Sequence, residues 1–94
     1  MIEFDWNPSK SRSNLLKHGV DFEEAITVFY DENALQFYDQ AHSETEDRFI
    51  LLGMSYRLRV LLVVHSEQDE GSTIRIISAR KATSKERSFY TGSL

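Results

Sequence analysis

Apolar and polar residues alternate through Ile2-Glu3-Phe4-Asp5-Trp6, the pattern of a half-buried strand with Ile2, Phe4 and Trp6 turned inward. Asn7-Pro8 follows, an N-cap residue and then a proline at the first helical position. The helix it opens is expected to run to about His18 and to stop at Gly19. Leu15 and Leu16 are its only strong apolar anchors, while Lys10, Asn14 and Lys17 share a polar stripe that spacing alone makes a solvated face. Asp21 starts a second helix, with Glu24 three residues on as an acidic capping pair. Phe22, Ala25, Ile26 and Phe29 recur there at core spacing, and fraying is expected near Asp31-Glu32-Asn33.

Beyond this point the period changes to that of strands. Residues 34–38 and 48–54 read as strands separated by the polar, acidic loop 39–47. After a turn at Ser55-Tyr56, residues 57–66 contain Val60-Leu61-Leu62-Val63-Val64, apolar on both faces as a central strand requires. The hairpin loop Glu67-Gln68-Asp69-Glu70-Gly71 leads into a β-branched strand, Thr73 to Lys81. Thr83 with Glu86 then forms a capping box for a last helix reaching Tyr90. The order predicts one α+β domain over residues 1–94, with two N-terminal helices and a C-terminal helix packed on a largely antiparallel sheet.

Composition narrows the function classes. Without cysteine there is no disulfide framework and no thiolate metal site. No apolar run approaches a membrane span and no secretory signal pattern opens the chain, so a cytoplasmic protein with no membrane partner is expected. The net charge of −4 is segregated: residues 1–50 hold 4 Lys/Arg and 11 Asp/Glu (−7), residues 51–94 hold 7 and 4 (+3). Five of those cations, Arg75, Arg80, Lys81, Lys85 and Arg87, crowd residues 73–90 beside one acid, Glu86. Cations gathered at a strand–helix junction suit an anion, because a guanidinium fork and a helix N-terminus both favour phosphate.

Regular alternation puts Ile74, Ile76, Ser78 and Arg80 on one face of that strand, and Arg75, Ile77, Ala79 and Lys81 on the other. His65 ends the row Arg59, Leu61, Val63 on the strand before it. Its plain reading is a structural histidine; bordering the same cleft as Arg80 would make it a proton carrier. Glu86 is explained by its cap. Tyr90, three residues past Arg87, either packs or stacks on a base. His42-Ser43-Glu44 sits in the polar loop and is expected to be solvated, and no two histidines have metal-ligand spacing. The residues themselves support a metal-free cationic anion site needing no cofactor.

Phe4-Asp5-Trp6-Asn7-Pro8-Ser9-Lys10, Asn14, Lys17-His18-Gly19-Val20 and Phe22-Glu23-Glu24-Ala25 resemble the opening of BrnT-type toxins. His42-Ser43-Glu44, Arg48, Leu52-Gly53, Val63-Val64-His65, Ile74-Arg75-Ile76-Ile77-Ser78-Ala79-Arg80, and Glu86-Arg87 with Tyr90 continue the likeness. Asn7 stands where Asp is usual, preserving the cap, and Ser88 where a second Arg is common, thinning the cationic patch. The resemblance implies a RelE-like compact fold and a type II toxin that cleaves RNA without metal and arrests translation. It implies a ribbon-helix-helix antitoxin, BrnA-like, through which alone operator DNA is met. Under it, Arg80 takes transition-state charge, His65 proton transfer, and Lys10, Lys17 and Arg48 backbone phosphates, with Lys81, Arg87 and Tyr90 completing the RNA surface. Two other readings stay open: an interaction domain for an acidic protein, and a lone nucleic-acid-binding repressor, which lacks a helix-turn-helix signal.

Overall fold

A strand apolar on both faces needs a neighbour on each edge and a layer on each side, and Val60–Gln68 receives both neighbours, one full layer and part of the second. The computed structural model describes residues 1–94. It contains strands β1 (Glu3–Asp5), β2 (Leu35–Tyr38), β3 (Arg48–Met54), β4 (Val60–Gln68) and β5 (Thr73–Lys81), with helices α1 (Pro8–His18), α2 (Phe22–Thr27) and α3 (Ser84–Gly92). The sheet order is β1-β5-β4-β3-β2. Every pair is antiparallel except β1 with β5, which is parallel from Glu3 opposite Thr73 to Asp5 opposite Arg75. The expected α+β layout is therefore present, on a mixed sheet. No helix is long and apolar enough to cross a membrane.

One face of the sheet carries the core. Val20, Phe22, Ala25 and Val28 pack there on Leu51, Leu61, Val63, Ile74, Ile76 and Ala79. Each larger aliphatic or aromatic side chain buried this way contributes about 1.5–3 kcal/mol. Phe4 and Trp6 border this cluster, as their alternation predicts, but Ile2 precedes the strand and is exposed. Gly53 of β3 lies where a 3-10 turn, Val28–Tyr30, crosses the sheet. A Cβ on Gly53 would come within 2.8 Å of the Ala34 Cβ and 2.9 Å of Val28 Cγ1, so the backbones approach as only glycine permits.

Helix α1 begins and ends as its sequence predicts. The Asn7 side chain accepts from Ser9 N–H at 2.8 Å, and Gly19 closes the helix at φ 73°. Its buried face is the reverse of the expected one: Leu15 and Leu16 are exposed, whereas Ser11 and Asn14 are buried. The reason lies in β5. Strand β1 covers only Thr73 to Arg75, leaving that edge of β5 without a neighbour strand beyond them. Asn14 fills that gap with its carboxamide, donating to the Ala79 and Val20 carbonyls at 2.7 Å each and accepting from Ala79 N–H at 3.2 Å. Ser11 Oγ accepts from Phe22 N–H at 2.9 Å and ties α1 to α2.

At the start of α2 the Asp21 side chain caps Glu24 N–H at 2.8 Å, but the Glu24 carboxylate does not return to the cap. It is buried, accepting from Ser55 Oγ at 2.7 Å and from Arg59 Nε at 2.9 Å, with Arg59 Nη2 completing a fork. Burial alone would raise its pKa, yet Arg59 and Ser55 hold it below the usual carboxylate range.

The register of β4 on β5 corrects the expected strand parity. Val64 pairs with Ser78 and His65 with Ile76, so Ile77 is an extra residue in a β-bulge. Ile74 and Ile76 face the core with Ala79, whereas Ser78 and Arg80 project from the opposite face. That second face is only partly covered. Thr83 and Glu86 form the predicted capping box, and α3 lays Tyr90 over Leu52 and Ala82 at one end.

Candidate active site

The uncovered part of the second face is a cleft of about 350 Å³. Ile50, Leu62 and Val64 supply an apolar floor from β3 and β4. Ser78 and Arg80 stand on one side, and Arg48 with Asp39 and His42 from the 39–47 loop on the other.

Arg80 reaches the cleft because the bulge turns it there. Its Nη1 and Nη2 donate to Glu86 Oε1 and Oε2 at 2.8 and 2.9 Å, and Nη1 also donates to the Lys81 carbonyl at 3.2 Å. Glu86 accepts from Thr83 N–H at 2.8 Å as well, so one carboxylate serves both helix cap and guanidinium. Its hydrogen bond from Arg80 lowers the Glu86 pKa to about 2. A guanidinium has five N–H donors. Nε–H and the second Nη2–H, its side-on edge, have no protein acceptor and present a fork that fits two phosphate oxygens.

Across the cleft, His42 Nδ1 lies 3.2 and 3.1 Å from Asp39 Oδ1 and Oδ2. A carboxylate partner requires the proton on Nδ1, which leaves Nε2 to accept or release a proton in the cleft. The ring is 68% exposed and the Asp39 carboxylate only 13%. This loop was expected to be solvated and irregular, yet it is laced to the start of β3. Asp39 N–H donates to the Arg48 carbonyl at 2.8 Å, Ser43 Oγ donates to the Asp39 carbonyl at 2.6 Å, and Arg48 N–H donates to Ser43 Oγ at 3.0 Å. Arg48 has its Nε buried without a partner, and its nearest carboxylate oxygen, on Glu46, is 3.9 Å away.

The other predicted site residues fall elsewhere. His65 is on the core face, fully buried, with its ring 4.8 Å from Phe29 and 5.9 Å from Phe49. Neither ring nitrogen has a hydrogen-bond partner, and burial pushes its pKa down. It does not border the cleft of Arg80. Tyr90 is buried and donates to Asp31 Oδ2 at 2.6 Å, with burial and that contact raising its pKa to about 12. No base can stack on it. Arg87 bonds the Ala82 carbonyl and Ser84 Oγ at the first turn of α3. Lys81, opposite Leu61, is exposed on the helix side of the sheet, and Lys10 and Lys17 are exposed on α1. None of these four cations lines the cleft. Of the predicted residues, Arg80 and Arg48 are brought together, and Asp39 and His42 join them. An Asp three residues before a His, at the foot of a strand that opens with Arg, is the signal that could have found the pair. No cluster of His, Asp and Glu is placed to hold a metal ion.

Residues 6–86 match the family model described as the ribonuclease toxin, BrnT, of type II toxin-antitoxin systems. No curated protein matches the chain. Among solved structures, the crystal structure of the Brucella abortus ribonuclease toxin, BrnT, superposes with a TM-score of 0.68 over 88% of this chain and 99% of that one. The two are 24% identical, so this likeness is one of fold.

Proposed function

Because the chain belongs to the BrnT family of type II toxin–antitoxin ribonucleases, we propose that the open sheet face cleaves RNA through its own 2′-hydroxyl. The observation that carries the proposal is the cleft itself, where a carboxylate-oriented imidazole faces an arginine with a free donor edge. His42 Nε2 takes the 2′-OH proton as that oxygen attacks the adjacent phosphorus. The P–O5′ bond breaks, a 2′,3′-cyclic phosphate forms, and the departing 5′-oxygen is protonated by water. Arg80 and Arg48 meet the charge that develops on the phosphorane oxygens. The scheme uses no metal and no cofactor. His65, sealed in the core, has no part in it, and Lys10, Lys17, Lys81 and Arg87 are left at most remote phosphates.

Cleaved RNA stops translation, and a BrnA-like ribbon-helix-helix antitoxin silences the toxin by placing acidic groups where RNA phosphates lie; operator DNA is met through that partner alone. The test is cleavage of RNA by purified wild type, Arg80→Ala and His42→Ala, with and without chelator. Losing Arg80 should cost roughly 10²–10³ in rate and losing His42 roughly 10²–10⁴, with both variants folded at the assay temperature and Arg80→Ala melting lower for want of its Glu86 pair. Wild-type rates in both variants would remove the cleft from the chemistry. Activity abolished by chelator and restored by a divalent ion would overturn the metal-free scheme.

A further inference from the structure

The cationic cleft does not end at Leu62. Ile50 and Leu62 also form the floor of a second hollow of about 260 Å³, closed by Leu52, Phe37 of β2 and Phe89 of α3. Phe37 and Phe89 in turn separate that hollow from a third, of about 460 Å³, which runs on between Leu35 and Gly92. The three hollows form one track across the open face, and the two phenylalanines stand at its narrow point. They are 47% and 61% exposed, a large apolar surface to leave in water. The only charged group in the middle hollow is Glu86, whose oxygens already accept from Arg80 and Thr83. Apart from one remaining lone pair on Glu86 Oε2, nothing in that hollow is left to hydrogen-bond a base edge.

We propose that this track is a base-binding subsite: a nucleobase of single-stranded RNA beside the scissile phosphate stacks on Phe37 and Phe89. The inference rests on the reading of the cleft as the place of cleavage, since a phosphate held by the Arg80 edge puts the neighbouring base over Ile50 and Leu62. An aromatic platform without free polar groups stacks any base and rejects one locked in a duplex, because every base has a π-face but only an unpaired one can be splayed out. The substrate class is therefore single-stranded RNA, held at this position chiefly by stacking on the two phenylalanine rings.

The experiment uses short RNA oligonucleotides cut at one defined bond, with an abasic nucleotide walked along the strand one position at a time. Wild type should lose roughly 5–150-fold in kcat/KM when the abasic unit reaches one position next to the cut bond, the loss expected for one stacked base. Phe89→Ala and Phe37→Ala should show a loss of that size on intact RNA and little further loss on the abasic strand. Phe89→Trp should restore it, and pairing the strand into a duplex should abolish cleavage. The abasic series needs only wild-type protein, so it decides even where an alanine variant melts. An even response along the whole strand, or variants that cut intact RNA at the wild-type kcat/KM, would overturn the subsite. So would variants that keep full cleavage and lose only antitoxin binding, which would make the track a protein-docking groove. Failure of the cleft reading looks different, because His42→Ala would then cut as wild type does whatever happens at Phe37 and Phe89.

Discussion

Arg59 and Glu24 illustrate how a single side chain in this molecule is held by geometry more than by charge count. Glu24 is almost fully enclosed, and Arg59 also donates to the Gly19 carbonyl at 2.9 Å, linking the end of α1, the start of α2 and the sheet. Arg59→Ala would leave a buried carboxylate with only Ser55 for a partner, and removing one member of such a pair costs about 3–5 kcal/mol. Denaturant unfolding should show that loss, while cleavage per folded molecule stays unchanged because neither residue reaches the cleft. A wild-type midpoint would mean that water reaches Glu24 and the network is ornamental. Residues of this kind were the hardest to read in the sequence. The caps Asn7, Asp21 and Thr83 were legible because their partners lie within three residues. Glu24 looked like a cap member because its true partner, Arg59, is distant in sequence. His65 and Tyr90 stood between a packing role and a functional one because their chemistry was visible and their burial was not.

Among the elements, α1 shows a helix docked by polar groups. Asn14→Ala would strand the Ala79 N–H and carbonyl, and an unsatisfied buried group costs about 1–3 kcal/mol. Leu16→Ala, on an 89% exposed side chain, should stay within about 0.5 kcal/mol of wild type. Chemical denaturation of the pair checks the inversion, and a larger loss at Leu16 than at Asn14 would refute it. Element identity and order were legible, since helices and strands impress periods of 3.6 and 2 on the chain. Facing was less so. Nothing in Ile74-Arg75-Ile76-Ile77-Ser78 marks which isoleucine is the extra one, yet that choice decides whether Arg80 meets the core or the cleft. The amphipathic rule failed at α1 for a related reason: a short β1 left part of the outer edge of β5 without a strand, and only tertiary context reveals that need.

For the whole molecule, the perturbed carboxylates and His65 act in one direction as pH falls. Glu24, Asp31 and Glu86 all have folded pKa values below their ordinary values of 4.5, 3.8 and 4.5. The stability they contribute is present above those values and is lost as pH falls, for Glu86 down to about 2. His65, depressed from 6.5 by burial, is favoured neutral in the fold, so its contribution begins to be lost as pH drops below 6.5. The melting temperature should therefore decline from about pH 6.5 and more steeply below about pH 4.5. Arg80→Ala should flatten the steep part, because Arg80 is the main cause of the Glu86 shift. A melting temperature constant down to about pH 3 in wild type would contradict this linkage.

The parallel contact of β1 with β5 sets a timetable for synthesis. Glu3 is made early but has no partner until Thr73 has left the ribosome, and Asn14 waits in the same way for Ala79. Non-local pairing of this kind delays closure, because the intervening loop must be ordered before any contact rewards it. Arg80 and the Glu86 that braces it are later still. A growing chain thus carries its first strand and first helix undocked through most of its translation, and the cleft assembles only near the end. If the cleft cuts RNA as proposed, a nascent chain is unarmed toward the messenger that encodes it.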